Sequence, residues 1–443
     1  MGELDQRILR LAVPNLLAAV SIPLIGIVDT ALIGHLPKVA FLGAVATASV
    51  IFDVLFWGTG FLRMATTSIV SHHHGAGDDV SCAEALYRSL LTAFVLAGLI
   101  VIARDGIAWL GFELAGGSDE VRLWGERYFH IRILGAPFVL CTLVLTGFFL
   151  GRADVLTPLA ITMVTNVVNI AADYALIYGK WGAPELGVEG AAWAAVAANG
   201  VGFGMGVTVL AIRYRARLRV RFGSLFDIAR ARHLARTNAA LAARTLCLLF
   251  AQFSMMAMVA RMGEIPLAAH AIVWQIWALV SFGVDGFAHA AETLVGNCLG
   301  SGDPAAARKL ARRTLHWGVG IGGVLAVVYC LTLAEIAGLF TAHGEVITAV
   351  ASLTLVVGLV QPLNAAVFIF DGIFIGANDV AYLFGAMAVA AFGVFLPAAG
   401  ALVFWLDGGL VGAWLAYDGL MIGRFLTLFR RYRSDAWLVS FAR

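Results

Sequence analysis

The sequence predicts an all-α integral membrane protein: twelve transmembrane helices in two homologous six-helix bundles, related by a pseudo-two-fold axis along the membrane normal. Three observations carry this expectation. The 443 residues are 61% hydrophobic and 13% charged, with a mean hydropathy of +0.89, against about 45–50% apolar and 25% charged in a soluble globular chain. Twelve apolar segments are each long enough to cross a bilayer. The second half of the chain also repeats the landmarks of the first.

A helix needs about 20 mostly apolar residues to span the hydrocarbon. Segments centred near residues 21, 57, 98, 136, 167, 200, 250, 283, 324, 361, 393 and 420 qualify. Their connections are short and polar or glycine-rich, except RYRARLRVRFGSLFDIARARHLAR at 213–236, which holds eight arginines. An even number of spans returns both termini to one side. With the termini cytoplasmic, 21 of the 30 Lys and Arg fall on that side, Arg313 and Arg424 among them, and the positive-inside rule sets N-in, C-in. Between two membrane helices the basic stretch reads as an interfacial linker on anionic headgroups, not as a nucleic-acid site. The apolar run behind MGELDQRILR is longer than a signal-peptide core and lacks an A-x-A exit, so the first helix is expected to be retained. The five cysteines are odd in number, scattered and free of C-x-x-C spacing, which suggests neither a disulfide frame nor a metal site. The net charge of +2 says little about partners.

Shifting the sequence by 225 positions aligns it with itself without a gap from about residue 28 to 155. VSHHHGAGDD (70–79) falls on VGNCLGSGDP (295–304), Pro137 on Pro362, and GFFLGRADV (147–155) on GIFIGANDV (372–380). The expected domains are an N-lobe at 1–212, the linker at 213–236 and a C-lobe at 237–443. Parallel repeats of this kind occur in transporters that alternate access between two lobes. The repeat also disposes of two motifs. His72, His73 and His74 align with Asn297, Cys298 and Leu299, and three consecutive helical side chains diverge, so no metal site is expected. Both lobes spell GxGD, at Gly75–Asp78 and Gly300–Asp303, where Gly and Asp suit a turn that stops one helix and caps the next.

Function is expected where the copies part, because the shared fold accounts for shared residues. A carboxylate at membrane depth costs roughly 2.5 kcal/mol or more, yet Asp29 interrupts an apolar run and aligns with Ser254. In NVVNIAADYALIYG, Asn166, Asn169 and Asp173 are spaced i, i+3, i+7 on one helix face, while Asn169 and Asp173 align with Val394 and Ala398. The second lobe carries its own polar set: Asp285, His289 and Glu292 at i, i+4, i+7, and Asp371 in the tenth segment. Arg63 aligns with Ala288 and is expected to pair with one of these acids. Asp53 and Arg132 have no polar companions in sequence and read as glue between helices.

These stretches resemble the multidrug and toxic compound extrusion (MATE) family, in its DinF-type branch. The resemblance runs through VPNLLAAVSIPLIGIVDTALIGHL (13–36), FLRMATTSIV (61–70), NVVNIAADYALIYG (166–179), DGFAHAAE (285–292) and DGIFIGAND (371–379), and covers most of the chain. It implies a secondary active efflux antiporter, not an enzyme, that exports cationic or amphipathic small molecules in exchange for protons, with Na+ as the alternative ion. No cofactor, metal or nucleic acid is implied. The expected setting is a bacterial inner membrane, as a monomer among lipids. The resemblance assigns the proton-responsive site to Asp29, Asn169 and Asp173. The family often adds a Thr from the sixth helix; GVEGAAWAAVAANG has none, which leaves Asn199 as the candidate.

Two carboxylates in one apolar site cannot easily both stay ionised, so Asp29 and Asp173 form an expected proton switch. Pro14 and Pro23 interrupt the ladder of the first helix, where protonation would bend it, and the lobes would rock. Asp285, Glu292 and Asp371 would attract cationic substrate in the second lobe, with Trp274, Trp277, Phe287 and Phe368 as its apolar or cation-π wall. Three other classes remain open. A lipid-linked precursor flippase would have more helices and an arginine-rich cavity. An intramembrane aspartyl protease would keep working when the gradient is collapsed. A passive channel would not show counterflow.

Overall fold

The computed structural model describes residues 2–217, 220 and 227–442, except for the side chains of residues 22–24, 279, 280, 282 and 440–442. Arg219 and Arg221 of the basic linker, Arg443 and the ring of Pro23 lie outside this description.

With no water to bond the backbone inside a bilayer, apolar segments must satisfy their own amides. Among the described residues they do so as twelve helical runs. These are α1 (Glu3–Gly34), α2 (Val39–Gly75, interrupted at residues 59 and 60), α3 (Asp79–Ile102), α4 (Asp119–Gly151), α5 (Leu156–Tyr178) and α6 (Val188–Arg213), then α7 (Ile228–Ala260), α8 (Glu264–Gly300) and α9 (Pro304–Phe340). Next come α10 in three pieces (Gly344–Ser352, Thr354–Leu359, Gln361–Gly376), α11 (Val380–Trp405) and α12 (Gly409–Arg433). A short additional helix, Arg104–Ala115, joins α3 to α4. The twelve expected segments each fall within one run. Three departures are local. The basic linker contributes its last arginines to the first turns of α7, a 3₁₀ break at Ile133–Gly135 divides α4, and α11 widens into π-helix at Val389–Phe395 and Gly400–Trp405. Its counterpart α5 is regular throughout.

The repeat is visible in the turns. Asp78 Oδ1 accepts the backbone N–H of Ser81 at 3.0 Å, and Asp303 Oδ1 that of Ala306 at 2.8 Å. The preceding glycines, Gly77 and Gly302, are left-handed at φ 73° and 76°. Both GxGD sequences are helix caps. The next matched turn places Ala153 at φ 58° and Asn378 at φ 57°, a conformation that Asn tolerates and that costs a Cβ-bearing residue such as Ala roughly 1 kcal/mol. Ala153→Asn is therefore expected to stabilise the protein by about 0.5 kcal/mol, read as a higher melting temperature in detergent.

Close helix crossings repeat as well. A Cβ on Gly147 would meet the Arg63 carbonyl oxygen at 2.5 Å. One on Gly372, the equivalent position, would meet the Ala288 carbonyl closer still. Small residues let backbones touch in membrane bundles, here α4 on α2 and α10 on α8. Gly372→Ala should force α10 away from α8 at a cost of about 3 kcal/mol, at the upper end of overpacking penalties. The measurement is the yield of monodisperse protein against Gly385→Ala, where the added Cβ meets nothing within 4 Å.

The chain separates into two compact units, Leu17–Leu234, and Met1–Leu16 with Ala235–Arg443. The first sixteen residues thus group with the second lobe, where the sequence reading had assigned them to the first. Asp5 accounts for this. Its carboxylate, 2% exposed, accepts two bonds from the Arg313 guanidinium at 2.6 and 2.8 Å, one from Trp317 Nε1 at 2.9 Å and one from the Gly2 amide at 3.0 Å.

Candidate functional site

In the first unit, α5 carries the polar face the sequence indicated. Asp173 is 1% exposed and Asn169 7%. One turn apart, they bond to each other, with Asn169 Nδ2 donating to Asp173 Oδ2 at 3.0 Å. The helix is stitched to the later part of α1 at two levels: Asn166 Nδ2 donates to the Ser21 carbonyl at 3.4 Å, and the Tyr178 hydroxyl to the Leu32 carbonyl at 2.5 Å. These stitches bracket Asp29 and bring its carboxyl within hydrogen-bonding reach of Asp173. Asp29 Oδ1 is buried with no donor to bond it. Ionised carboxylates only accept, so a bond between these two groups requires a proton on one of them. Asn199, half-buried on α6, donates its Nδ2 to the Ala195 carbonyl of its own helix at 2.7 Å.

Arg132, which the sequence reading treated as helix glue, belongs to this neighbourhood. It sits immediately before the 3₁₀ break of α4. Its Nη1 donates to the Tyr128 hydroxyl at 2.9 Å and Ser49 Oγ at 3.4 Å, and the guanidinium lies 4.6 Å from the Phe52 ring centre. Asp29, Asp53 and Asp173 all lie in the field of its charge. Its sequence neighbours gave no sign of this, because the acids come from three other helices.

In the second unit Asp371 is enclosed. Arg244 Nη2 of α7 and Arg424 Nη2 of α12 both donate to its Oδ2, the latter at 2.5 Å. The three side chains are 8%, 8% and 2% exposed for Asp371, Arg244 and Arg424. The charge count had placed Arg424 on the cytoplasmic side with its neighbours Arg430, Arg431 and Arg433; the structure instead buries it in the bundle. Arg63 was expected to pair with a second-lobe acid, and Asp371 has arginines of its own lobe. Arg63 is half-buried on α2 at the crossing with α4. On α8, Glu292 is buried and Asp285 and His289 are half-buried. The aromatics of the expected wall contact one another and α9: Trp274 stacks on Trp277 at 5.2 Å, Trp277 meets Phe368 at 5.9 Å, and Phe287 stacks on Trp317 at 6.1 Å.

Among the described residues, twelve helical runs in two repeated lobes, nine or ten of them long and apolar enough to cross a bilayer, with the Asp29–Asp173 carboxyl pair in one lobe, define a multi-pass membrane transporter. The family model described as MatE matches the chain twice, over residues 14–175 and 240–401, and the chain belongs to that family, the MATE transporters. It is 30% identical over 445 residues to the DNA damage-inducible protein F of Escherichia coli (strain K12), covering 98% of this chain and 94% of that protein. It is 29% identical over 444 residues to the probable multidrug resistance protein NorM of Rhizobium meliloti (strain 1021), covering 96% and 93%. The fold is shared with a solved outward-facing MATE family transporter, at a TM-score of 0.87 and 19% identity over 98% of this chain and 97% of that one.

Proposed function

We propose that this MATE transporter is a secondary active antiporter that exports cationic or amphipathic small molecules in exchange for protons by alternating access. In this reading it works as a monomer in a bacterial inner membrane, with both termini cytoplasmic. The observation that carries the reading is the Asp29–Asp173 pair, a carboxyl-to-carboxyl contact in one lobe between a half-buried and a buried side chain, where the repeat has Ser254 and Ala398. Such a pair holds one proton tightly enough to matter and releases it when its surroundings change. Asn169 offers Asp173 an N–H, which suits a carboxylate ready to exchange a proton better than an all-oxygen cage for Na+. Proton uptake from outside would rearrange the bonds between α5 and α1, where Pro14 already weakens the backbone ladder, and promote substrate release. Deprotonation toward the cytoplasm would reset the site.

The test is efflux from proteoliposomes under an imposed pH gradient, with a sodium gradient at equal pH as the comparison. Transport that follows the pH gradient alone supports proton exchange. Transport that follows the sodium gradient alone rules it out.

A further inference from the structure

We infer that Arg132 is the fixed counter-charge of the Asp29–Asp173 pair, a positioning residue that keeps the shared proton exchangeable. The inference rests on reading that pair as the proton site.

Two independent observations carry it. The first is the repeat. Under the 225-position shift, Arg132 aligns with Val357 and Asp53 with Ala278. Both charges are thus confined to the lobe that also has Asp29, Asn169 and Asp173, and the fold that both lobes share requires neither. The second is geometry. Arg132 lies near the middle of α4, where an arginine is costly. Among the described residues, no carboxylate pairs with it within ion-pair distance. Its guanidinium is held instead by neutral groups, the Tyr128 hydroxyl, Ser49 Oγ and the face of Phe52. Among the described residues, Asp29 on α1, Asp53 on α2, Tyr128 on α4 itself and Asp173 on α5 lie in its field. Asp53 is exposed and offsets part of the charge.

A carboxyl pair that is only buried and doubled would hold its proton too firmly to give it up inside the cell. A cation nearby favours the ionised form without bonding to it, and a guanidinium stays charged at every working pH. Held by a hydroxyl and an aromatic face, Arg132 supplies that field from a constant position and leaves the carboxyl oxygens open to each other.

The experiment measures the pH midpoint of efflux for Arg132→Gln, Arg132→Met and Arg132→Lys in proteoliposomes. The neutral variants should move the midpoint upward by about one pH unit, and Lys should return it most of the way. Neutral variants with the wild-type midpoint, or a Lys variant that shifts as far as Gln, would overturn the assignment. Should neither neutral variant fold, Asp53→Asn tests it from the other side. Removing the offsetting charge strengthens the field of Arg132 and should lower the midpoint by a smaller step, and an unmoved midpoint refutes the role. Asp173→Asn measured alongside separates the two readings. If it transports like wild type, the proton site itself is misplaced; if it is inactive while the Arg132 midpoints stay put, only Arg132 is.

Discussion

Asp173→Asn is expected to lower pH-gradient-driven efflux by about 100-fold or more, the scale on which removing a proton-transferring group is felt, while leaving the protein folded. The substitution keeps the shape of the side chain. Its amide oxygen can still accept from Asn169 Nδ2, as Asp173 Oδ2 does at 3.0 Å, and its N–H can donate to Asp29. The Asn variant therefore resembles the protonated state made permanent. It removes a buried group's charge without leaving a buried acceptor unmet, so the melting temperature should hold or rise. Gradient-free exchange of labelled substrate should persist, because it asks the protein to reorient without releasing a proton. Concentrative efflux at the wild-type rate would exclude Asp173 from coupling. Asp29→Asn should behave alike, because the bond between the two carboxyls needs a proton that either of them can carry.

Much of this site was legible in the sequence because its geometry is local. Asn169 and Asp173 are one turn apart on a helix, so their contact follows from the helical period alone. The self-alignment then singled out Asp29 without any knowledge of where α1 packs. The capping of α3 and α9 was readable for the same reason, since Asp78 and Asp303 act on amides three residues away. Contacts that depend on which helices meet were not readable. Asp371 lies 127 residues from Arg244 and 53 from Arg424. Arg424 also sits close enough to a run of arginines at the end of α12 to be mistaken for one of them. Arg132 was passed over because its acids arrive from α1, α2 and α5. Asp5 had only the chemistry of a polar terminus, and its clasp with Arg313 and Trp317 depends on a packing that joins residues 308 and 312 positions apart. The π-helical stretches of α11 left no trace in an almost wholly apolar segment, where a change of period alters no polar face.

Asp371→Asn should be strongly destabilising, by about 3–5 kcal/mol, the usual result of removing one member of a buried ion group. The carboxylate is the shared partner of two guanidiniums from α7 and α12, and without it two like charges face each other inside the bundle. The expected observation is a steep loss of monodisperse protein on extraction. That result alone would not separate a structural tie from a transport role, since either would suffer. Replacing the group as a whole does separate them. Arg244→Met, Asp371→Leu and Arg424→Met together fill similar volume with apolar side chains, and a buried ion group gains little over such packing because desolvation offsets the attraction. The triple variant should therefore fold about as well as wild type and still pump. A cation bound at Asp371 would have to displace an arginine that donates to it at 2.5 Å, within a group whose net charge is already positive. Substrate or ion binding in the second lobe is for that reason better sought on α8, at Asp285, His289 and Glu292. If the triple variant folds and transport is lost, Asp371 and its arginines belong to the transport path, and the tie between α7, α10 and α12 is a moving part.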